Sequence, residues 1–242
     1  DGGSSSVSRV GNYRILPFLK SRGASSLEAV FVTHPDEDHC SGIRELLETG
    51  KEQGIRVKNL VLPDVAKKAR SEGYLTLAES ARKAGIPVTY LSKGQVLKNN
   101  RLTLACLHPE KKEGALEPNE YSVVLEVSYG NFSALLTGDV EGEGERQLLE
   151  ELGKRPVRGR VTVLKVAHHG SKNSTPVSFL ERERPLYAVI SCGERNSYGH
   201  PHEELLKRLE NCGAEILITW ESGAVCFCTD GKRVRVEEFL IS

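Results

Sequence analysis

An apolar run, Ala29-Val30-Phe31-Val32, passes without a break into Thr33-His34-Pro35-Asp36-Glu37-Asp38-His39. The run predicts a buried strand, and its end carries four metal-competent side chains, His34, Asp36, Asp38 and His39, within six residues. A strand that closes on such a cluster presents it at the rim of a sheet, where a substrate has access. Four ligands exceed what one structural zinc takes from so short a piece, and their spacing wraps a single ion badly. His34 and Asp36 project together while Asp38 and His39 project elsewhere, so the economical reading is a pair of neighbouring ions. The competing reading is a solvated acidic turn leading into a helix that begins near Gly42.

Beyond that helix, expected over 42–53, the pattern predicts a strand near 57–62 and a helix capped by Asp64 that runs to about Ala84. Gly85-Ile86-Pro87 stops it. Strands follow near 87–91 and 102–107, then a charged loop from Lys111 to Pro118. Residues 121–129 and 132–137 read as a hairpin turned at Gly130-Asn131, and a helix takes 141–152. A strand at 161–167, a helix opening at Thr175-Pro176, a strand at 186–191 and a helix from Pro201 to Asn211 come next. Strands near 215–220, 223–228 and 233–238 close the chain. Helices and strands alternate with hairpins mixed in, which suggests two mixed sheets packed face to face with helices outside.

Three later segments carry chemistry. Leu135-Leu136-Thr137-Gly138-Asp139 is an apolar strand ending in a carboxylate that can face the early cluster and bridge two ions; a helix N-cap is the plainer alternative. Lys165-Val166-Ala167-His168-His169-Gly170-Ser171 ends another strand in a histidine pair. Adjacent strand residues point to opposite sides, so at most one of them ligates the same ion unless the strand has already ended. Asn196-Ser197-Tyr198-Gly199-His200-Pro201-His202 precedes a helix whose first N–H groups favour an anion, with His200 beside them and His202 as a surface residue. His108 follows the strand at 102–107. Every histidine thus falls at a strand end or a helix start.

With 33 basic and 33 acidic side chains, the formal net charge is zero, which argues against a protein held on nucleic acid by bulk charge. Local basic stretches (Lys67-Lys68-Ala69-Arg70, Arg158-Gly159-Arg160, Lys232-Arg233-Val234-Arg235) read as solvated faces. The six cysteines show no CxxC pairing, which removes zinc-knuckle and thioredoxin-like readings; Cys226 and Cys228 share a strand face as small core residues. No run approaches the ~20 apolar residues of a membrane span, and the Asp1-Gly2-Gly3 start does not read as a signal peptide. Tyr74, Tyr198 and Trp220 are expected to pack rather than stack on bases. At 242 residues without a linker or repeat, a single domain over 1–242 is expected.

His34-Pro35-Asp36-Glu37-Asp38-His39, Thr137-Gly138-Asp139, His168-His169-Gly170-Ser171 and Tyr198-Gly199-His200-Pro201, in this order, resemble the metallo-β-lactamase superfamily. Within it they look like the C-terminal hydrolase domain of the ComEC family of DNA-uptake competence proteins, which Asn119-Glu120-Tyr121-Ser122 also matches. The resemblance implies an α/β fold, a four-layer αββα sandwich of two mixed β-sheets, lacking the first strands that precede Asp1-Gly2-Gly3 in the family. It implies two divalent metal ions. One would take His34, Asp36 and a bridging Asp139, with His108 or Asn119 completing its set. The other would take Asp38, His39, Asp139 and His169, chosen because the ligand in related sites precedes Gly. The chain departs from the common His-x-His-x-Asp-His pattern at Asp36, which makes the first site richer in oxygen. Oxygen-rich sites favour Mn²⁺ and histidine-rich tetrahedral ones Zn²⁺, so manganese is expected, with zinc as an alternative occupant.

The implied function is a dinuclear metal-dependent phosphodiesterase, a nuclease acting on single-stranded DNA during competence DNA uptake. Asp38 would hold the nucleophile, while His168 and His200 would steady phosphoryl oxygens or protonate the leaving group. Asn119, Ser171, Lys172 and Ser174 are the expected substrate contacts. The implied setting is the outer face of the cytoplasmic membrane, joined to or docked on a membrane channel domain. Two other readings stand beside it: a small-molecule phosphodiesterase or phosphocholine esterase, which the neutral charge suits, and a DNA-binding or docking module whose metals are structural.

Overall fold

Apolar side chains collect into two separate clusters in the computed structural model, which describes residues 1–111, 117–157 and 159–239. The chain divides accordingly into two units, Asp1–Ser92 with Pro109–Val123, and Lys93–His108 with Val124–Ser242. Most of the expected loop at 111–118, and Arg158 of one basic stretch, lie outside the described residues.

The first unit opens with a π-helical turn, Gly11–Ile15, running into helix α1 (Leu16–Ser21). Strands β1 (Ser26–Leu27) and β2 (Val30–Phe31), helix α2 (Glu37–Thr49), β3 (Arg56–Val57), β4 (Leu60–Pro63), α3 (Glu72–Lys83) and β5 (Val88–Leu91) follow. Strands β2, β4 and β5 form a parallel sheet, Val30 opposite Leu60 and Leu60 opposite Val88. All four residues of β4 are buried, as expected of a strand covered on both faces. The amphipathic helices supply that cover: α2 buries Cys40, Leu46 and Leu47, and α3 buries Tyr74, Leu77 and Ala81. Truncating a leucine such as Leu46 to alanine should cost about 2–5 kcal/mol.

Two boundaries differ from expectation here. Helix α2 starts at Glu37 rather than near Gly42, so the acidic turn is already helical. Asp64 caps nothing; its N–H donates to the Leu91 carbonyl at 2.8 Å and prolongs β4. A short 3₁₀ turn at Lys67–Ala69 intervenes, and Ser71, whose hydroxyl accepts from the Tyr74 N–H at 3.4 Å, is the true cap of α3.

The second unit contains β6 (Val96–Asn99), β7 (Leu102–His108), β8 (Val124–Tyr129), β9 (Phe132–Leu136), α4 (Gly142–Gly153), β10 (Val163–Lys165), α5 (Val177–Glu183), β11 (Tyr187–Ile190), α6 (Glu203–Asn211), β12 (Glu215–Ile218), α7 (Thr219–Ser222), β13 (Ala224–Thr229) and β14 (Val234–Phe239). Seven strands make one mixed sheet in the order β12-β11-β10-β9-β8-β7-β6. The four from β9 to β12 run parallel, and the remaining pairings are antiparallel. The expected mixed character therefore belongs to this sheet, whereas β2-β4-β5 is parallel throughout. Because β9, β10 and β11 point the same way, their C-terminal ends share one edge, the usual place for ligands in α/β sheets. Leu148 and Leu152 of α4, Leu180 of α5, and Leu205 and Leu209 of α6 pack with Leu135, Leu164 and Ile190 of those strands.

Candidate metal centre

In the first unit the ligand group sits where β2 gives way to α2. Val32 still donates to the Val61 carbonyl at 3.0 Å, so the strand pairing ends just before Thr33. Asp36 then takes the N-cap position with extended backbone (φ −70°, ψ 150°), and its side chain makes no capping hydrogen bond. Asp38 and His39 lie in the first turn, where the helix dipole favours negative charge. His34 and His39 are buried, with ring centroids 4.1 Å apart. The Thr33 hydroxyl lies 3.2 Å from His34 Nδ1 and 3.1 Å from His39 Nδ1. Ser122, fully buried, places its hydroxyl 3.3 Å from the same His34 nitrogen. An oxygen between two Nδ1 atoms can accept from both, which leaves each Nε2 with an outward lone pair. His34 Nε2 is 3.6 Å from Asp36 Oδ2, and His39 Nε2 is 3.5 Å from Asp1 Oδ1 and 3.9 Å from Asp38 Oδ2.

Asp1, Thr33 and Ser122 were not read from the sequence as part of a site. Asp1 is held because Gly2 and Gly3 lie flat on α2, their N–H groups donating to the His39 and Asp38 carbonyls at 3.1 and 2.9 Å. A Cβ on Gly3 would come within 2.2 Å of the Glu37 carbonyl, so the close approach requires glycine. Asn119 lies in a 3₁₀ turn, Asn119–Tyr121, half-buried, with its side-chain oxygen lacking a hydrogen-bond partner among the described residues.

In the second unit the group comes from three strand ends. After β9, Thr137 donates to the Lys165 carbonyl at 2.5 Å, Gly138 turns through φ 54°, and Asp139 is buried. Glu141, rather than Asp139, is the N-cap residue of α4. After β10, His168 (φ 46°, ψ 53°) and His169 (φ 52°, ψ 18°) both adopt left-handed backbone. Each such non-glycine residue costs about 1–2 kcal/mol, and the strain frees the pair from strand alternation. The His168 N–H donates to the Gly138 carbonyl at 3.2 Å, tying the two ends together.

His169 Nδ1 donates to the Ser191 carbonyl at 2.7 Å. A carbonyl can only accept, so the proton is on Nδ1 and Nε2 carries the lone pair of the neutral ring. That Nε2 faces Asp139 Oδ2 at 3.1 Å. A lone pair opposed to a carboxylate at that distance repels unless a cation lies between them or the ring is protonated. The donor set therefore fits a divalent ion held by Asp139 and His169. His168 Nδ1 instead donates to Glu141 Oε2 at 2.8 Å. Burial pulls the His168 imidazole down, but the Glu141 hydrogen bond and the Asp139 and Glu141 charges outweigh it, and its pKa stands above the ordinary histidine value. His200 is half-buried, 5.5 Å from the His168 ring. Burial first, and then repulsion from His168, His202 and His169, push it down to about 4, so it is neutral at pH 7.

The remaining expected residues lie at the end of β7 and in the loop that leads to α5. His108 is buried at the last position of β7, beside a bulge in the pairing with β8. Ser174 is buried with its hydroxyl within 3.0 and 3.1 Å of the Ala167 and Ser171 carbonyls, and Ser171 accepts from the Asn173 N–H at 3.2 Å, so both hydroxyls shape their own loop. Lys172 is exposed. Helix α6 begins at Glu203 with His202 as its N-cap residue, which places Pro201 outside it. His202 Nδ1 accepts from the Lys172 N–H at 3.2 Å. Gly170 (φ 91°) lies where a Cβ would stand 2.7 Å from Pro201 Cβ. Tyr74 packs as expected, whereas Tyr198 is 70% exposed. Cys226 and Cys228 share a face but are only half-buried, so they are not core residues.

Comparison with known proteins shows the family. ComE operon protein 3 of Bacillus subtilis (strain 168) is 34% identical over 217 residues, 89% of this chain and 26% of that protein. Competence protein ComA of Neisseria gonorrhoeae is 30% identical over 230 residues, 93% of this chain and 29% of that protein. The chain thus spans about a quarter of the length of these relatives. Among solved structures, CmlA, a diiron beta-hydroxylase from Streptomyces venezuelae, superposes with a TM-score of 0.51 at 12% identity, covering 80% of this chain and 44% of that one; the likeness is one of fold. Residues 2–194 match the family model of the metallo-beta-lactamase superfamily, and the chain belongs to that superfamily.

Proposed function

We propose that the two units form a single hydrolase domain, 1–242, and that their ligand groups serve one dinuclear centre cleaving phosphodiesters, with DNA as the substrate. The observation that carries this reading is the His169–Asp139 pair: a ring fixed by the Ser191 carbonyl so that its Nε2 meets a buried carboxylate. Asp139 and His169 would hold one side of the centre; His34, Asp36, Asp38 and His39, with Asp1, would hold the other. Bound divalent ions would supply an acidified water and offset charge on the phosphodiester oxygens. The abundance of carboxylates around His34 and His39 favours manganese, with zinc as an alternative occupant. The chain's own residues do the rest. His168, steadied by Glu141 and with its pKa raised, is a donor for phosphoryl oxygens or the leaving alkoxide, and neutral His200 beside it offers a hydrogen bond without competing for a metal's charge.

Likeness to the competence proteins supports DNA as substrate. We take single-stranded DNA as the preferred form and the outer face of the cytoplasmic membrane, joined to a channel domain, as the setting. Among the described residues no helix is long and apolar enough to cross a membrane. The deciding experiment compares Mn²⁺-dependent digestion of single-stranded and duplex DNA with turnover of bis-nitrophenyl phosphate and nitrophenyl phosphocholine. Degradation of DNA supports the nuclease. Turnover of the small esters alone replaces it with a small-molecule phosphodiesterase, which the neutral net charge suits. Binding of DNA without cleavage under Mn²⁺, Zn²⁺ and Mg²⁺ leaves a docking module.

A further inference from the structure

The β13–β14 hairpin carries none of the residues discussed for the hydrolytic centre, yet it gathers three metal-competent side chains. Cys226 and Cys228 are two residues apart on β13 and therefore share a face, while Phe227 between them turns to the other, where its ring meets Tyr187 at 5.4 Å. Across the hairpin Cys226 pairs with Glu237 and Cys228 with Arg235. The two Sγ atoms lie 3.8 Å apart, and both lie within 4.8 Å of a Glu237 carboxylate oxygen. All three residues are half-buried, reachable by an ion but partly withdrawn from water.

Those distances match a coordination polyhedron. Two metal–sulfur bonds of about 2.3 Å at a tetrahedral angle put the sulfurs about 3.8 Å apart, and a metal–oxygen bond of about 2.1 Å puts oxygen about 3.6 Å from each sulfur. The sulfur edge already has the required length, and the carboxylate has at most about an ångström to travel. Arg235 donates to Glu237 Oε1 at 2.9 Å, which orients the carboxylate. A disulfide fits less well. Residues i and i+2 of an extended strand stand about 6.8 Å apart, at the upper limit for bridged cysteines, and both cysteines are locked into the ladder.

We propose that Cys226, Cys228 and Glu237 form a second metal site, separate from the hydrolytic centre, for a thiophilic divalent cation, zinc by preference. Binding releases the two thiol protons to solvent and leaves a fourth position for water. Cobalt is the probe: a centre of imidazoles and carboxylates gives no sulfur-to-cobalt charge-transfer absorption, whereas two thiolates do. Wild type loaded with Co²⁺ should show that absorption; Cys226→Ser/Cys228→Ser should lose it, together with one equivalent of bound zinc, and keep its hydrolytic activity. Glu237→Gln should retain the absorption with zinc affinity lowered on the order of 10-fold. On unmodified protein, zinc should protect Cys226 and Cys228 from alkylation, as mapped by peptide mass spectrometry. Unchanged cobalt spectra in the double variant, absence of zinc protection, or a Cys226–Cys228 disulfide in protein prepared with zinc would each overturn the proposal.

Discussion

The two ligand groups solve one problem in opposite ways. The early group is presented by the first turn of a regular helix, α2, and its spacing is set by six consecutive residues. The late group comes from separate strand ends, and its histidines sit on two successive left-handed residues. The first arrangement is cheap in backbone energy but depends on Gly2 and Gly3 lying against the helix. The second carries strain that the packed ends of β9, β10 and β11 must hold. Local sequence can specify a helical cluster, whereas a strained one is specified by the fold around it.

The largest test of this contrast is Asp139→Asn. It preserves shape while removing the charge from the late group, and Mn²⁺-dependent phosphodiester hydrolysis should fall on the order of 10³-fold or more. Activity within tenfold of wild type would separate the late group from catalysis.

Next comes the support beneath the strained segment. Glu145 of α4 is buried and accepts from the Thr175 N–H at 2.6 Å, just beyond the histidine loop. Burial pushes its carboxyl from the ordinary 4.5 up to about 7; the Glu141 charge adds to this, and the Thr175 hydrogen bond and Arg208 oppose it. The folded state therefore binds the proton more tightly than the unfolded chain. Its contribution to stability is intact below pH 4.5 and is lost as pH rises to about 7, by about 3 kcal/mol at 1.36 kcal/mol per unit. Urea melts across pH 4.5–8 should show wild type losing that much relative to Glu145→Gln. Parallel curves would place the proton elsewhere.

Thr33→Val probes the early group. It removes the oxygen shared by His34 and His39 and should weaken metal binding by about 10–100-fold, read by competition with a chelator, with Thr33→Ser restoring it. The smallest effect gives the sharpest contrast. At His168 the glycine variant should be more stable than the alanine variant by about 1 kcal/mol, because only glycine takes φ 46° freely. At His39, inside α2, the order should reverse by a similar amount. The same order at both positions would mean that the left-handed backbone relaxes once the side chain is gone.

Legibility in the sequence follows the same division. His34, Asp36, Asp38 and His39 could be read as a cluster because strand, turn and helix lie within a dozen residues. Asp139 and His169 were placed by the motifs of a resembling family; nothing in their spacing shows that β9 and β10 are neighbours. Thr33, Ser122, Glu141 and the Ser191 carbonyl went unread for the same reason, since a hydrogen bond across 88 positions, as between Ser122 and His34, leaves no local trace. Helix α2 was expected only from Gly42, whereas in the fold Gly42 lies inside the helix and gives the close approach that Gly2 and Gly11 require. Strand β6 was missed because every one of its residues is exposed, as an edge strand allows, and it shows no buried face to detect.

The contact of Gly170 with Pro201 has a mechanical consequence. With no room for even a methyl group between them, the loop bearing His168 and His169 and the loop bearing His200 cannot slide past one another. A ligand that displaces either would drag its neighbour along, so the imidazoles should rearrange as one rigid plate rather than one by one.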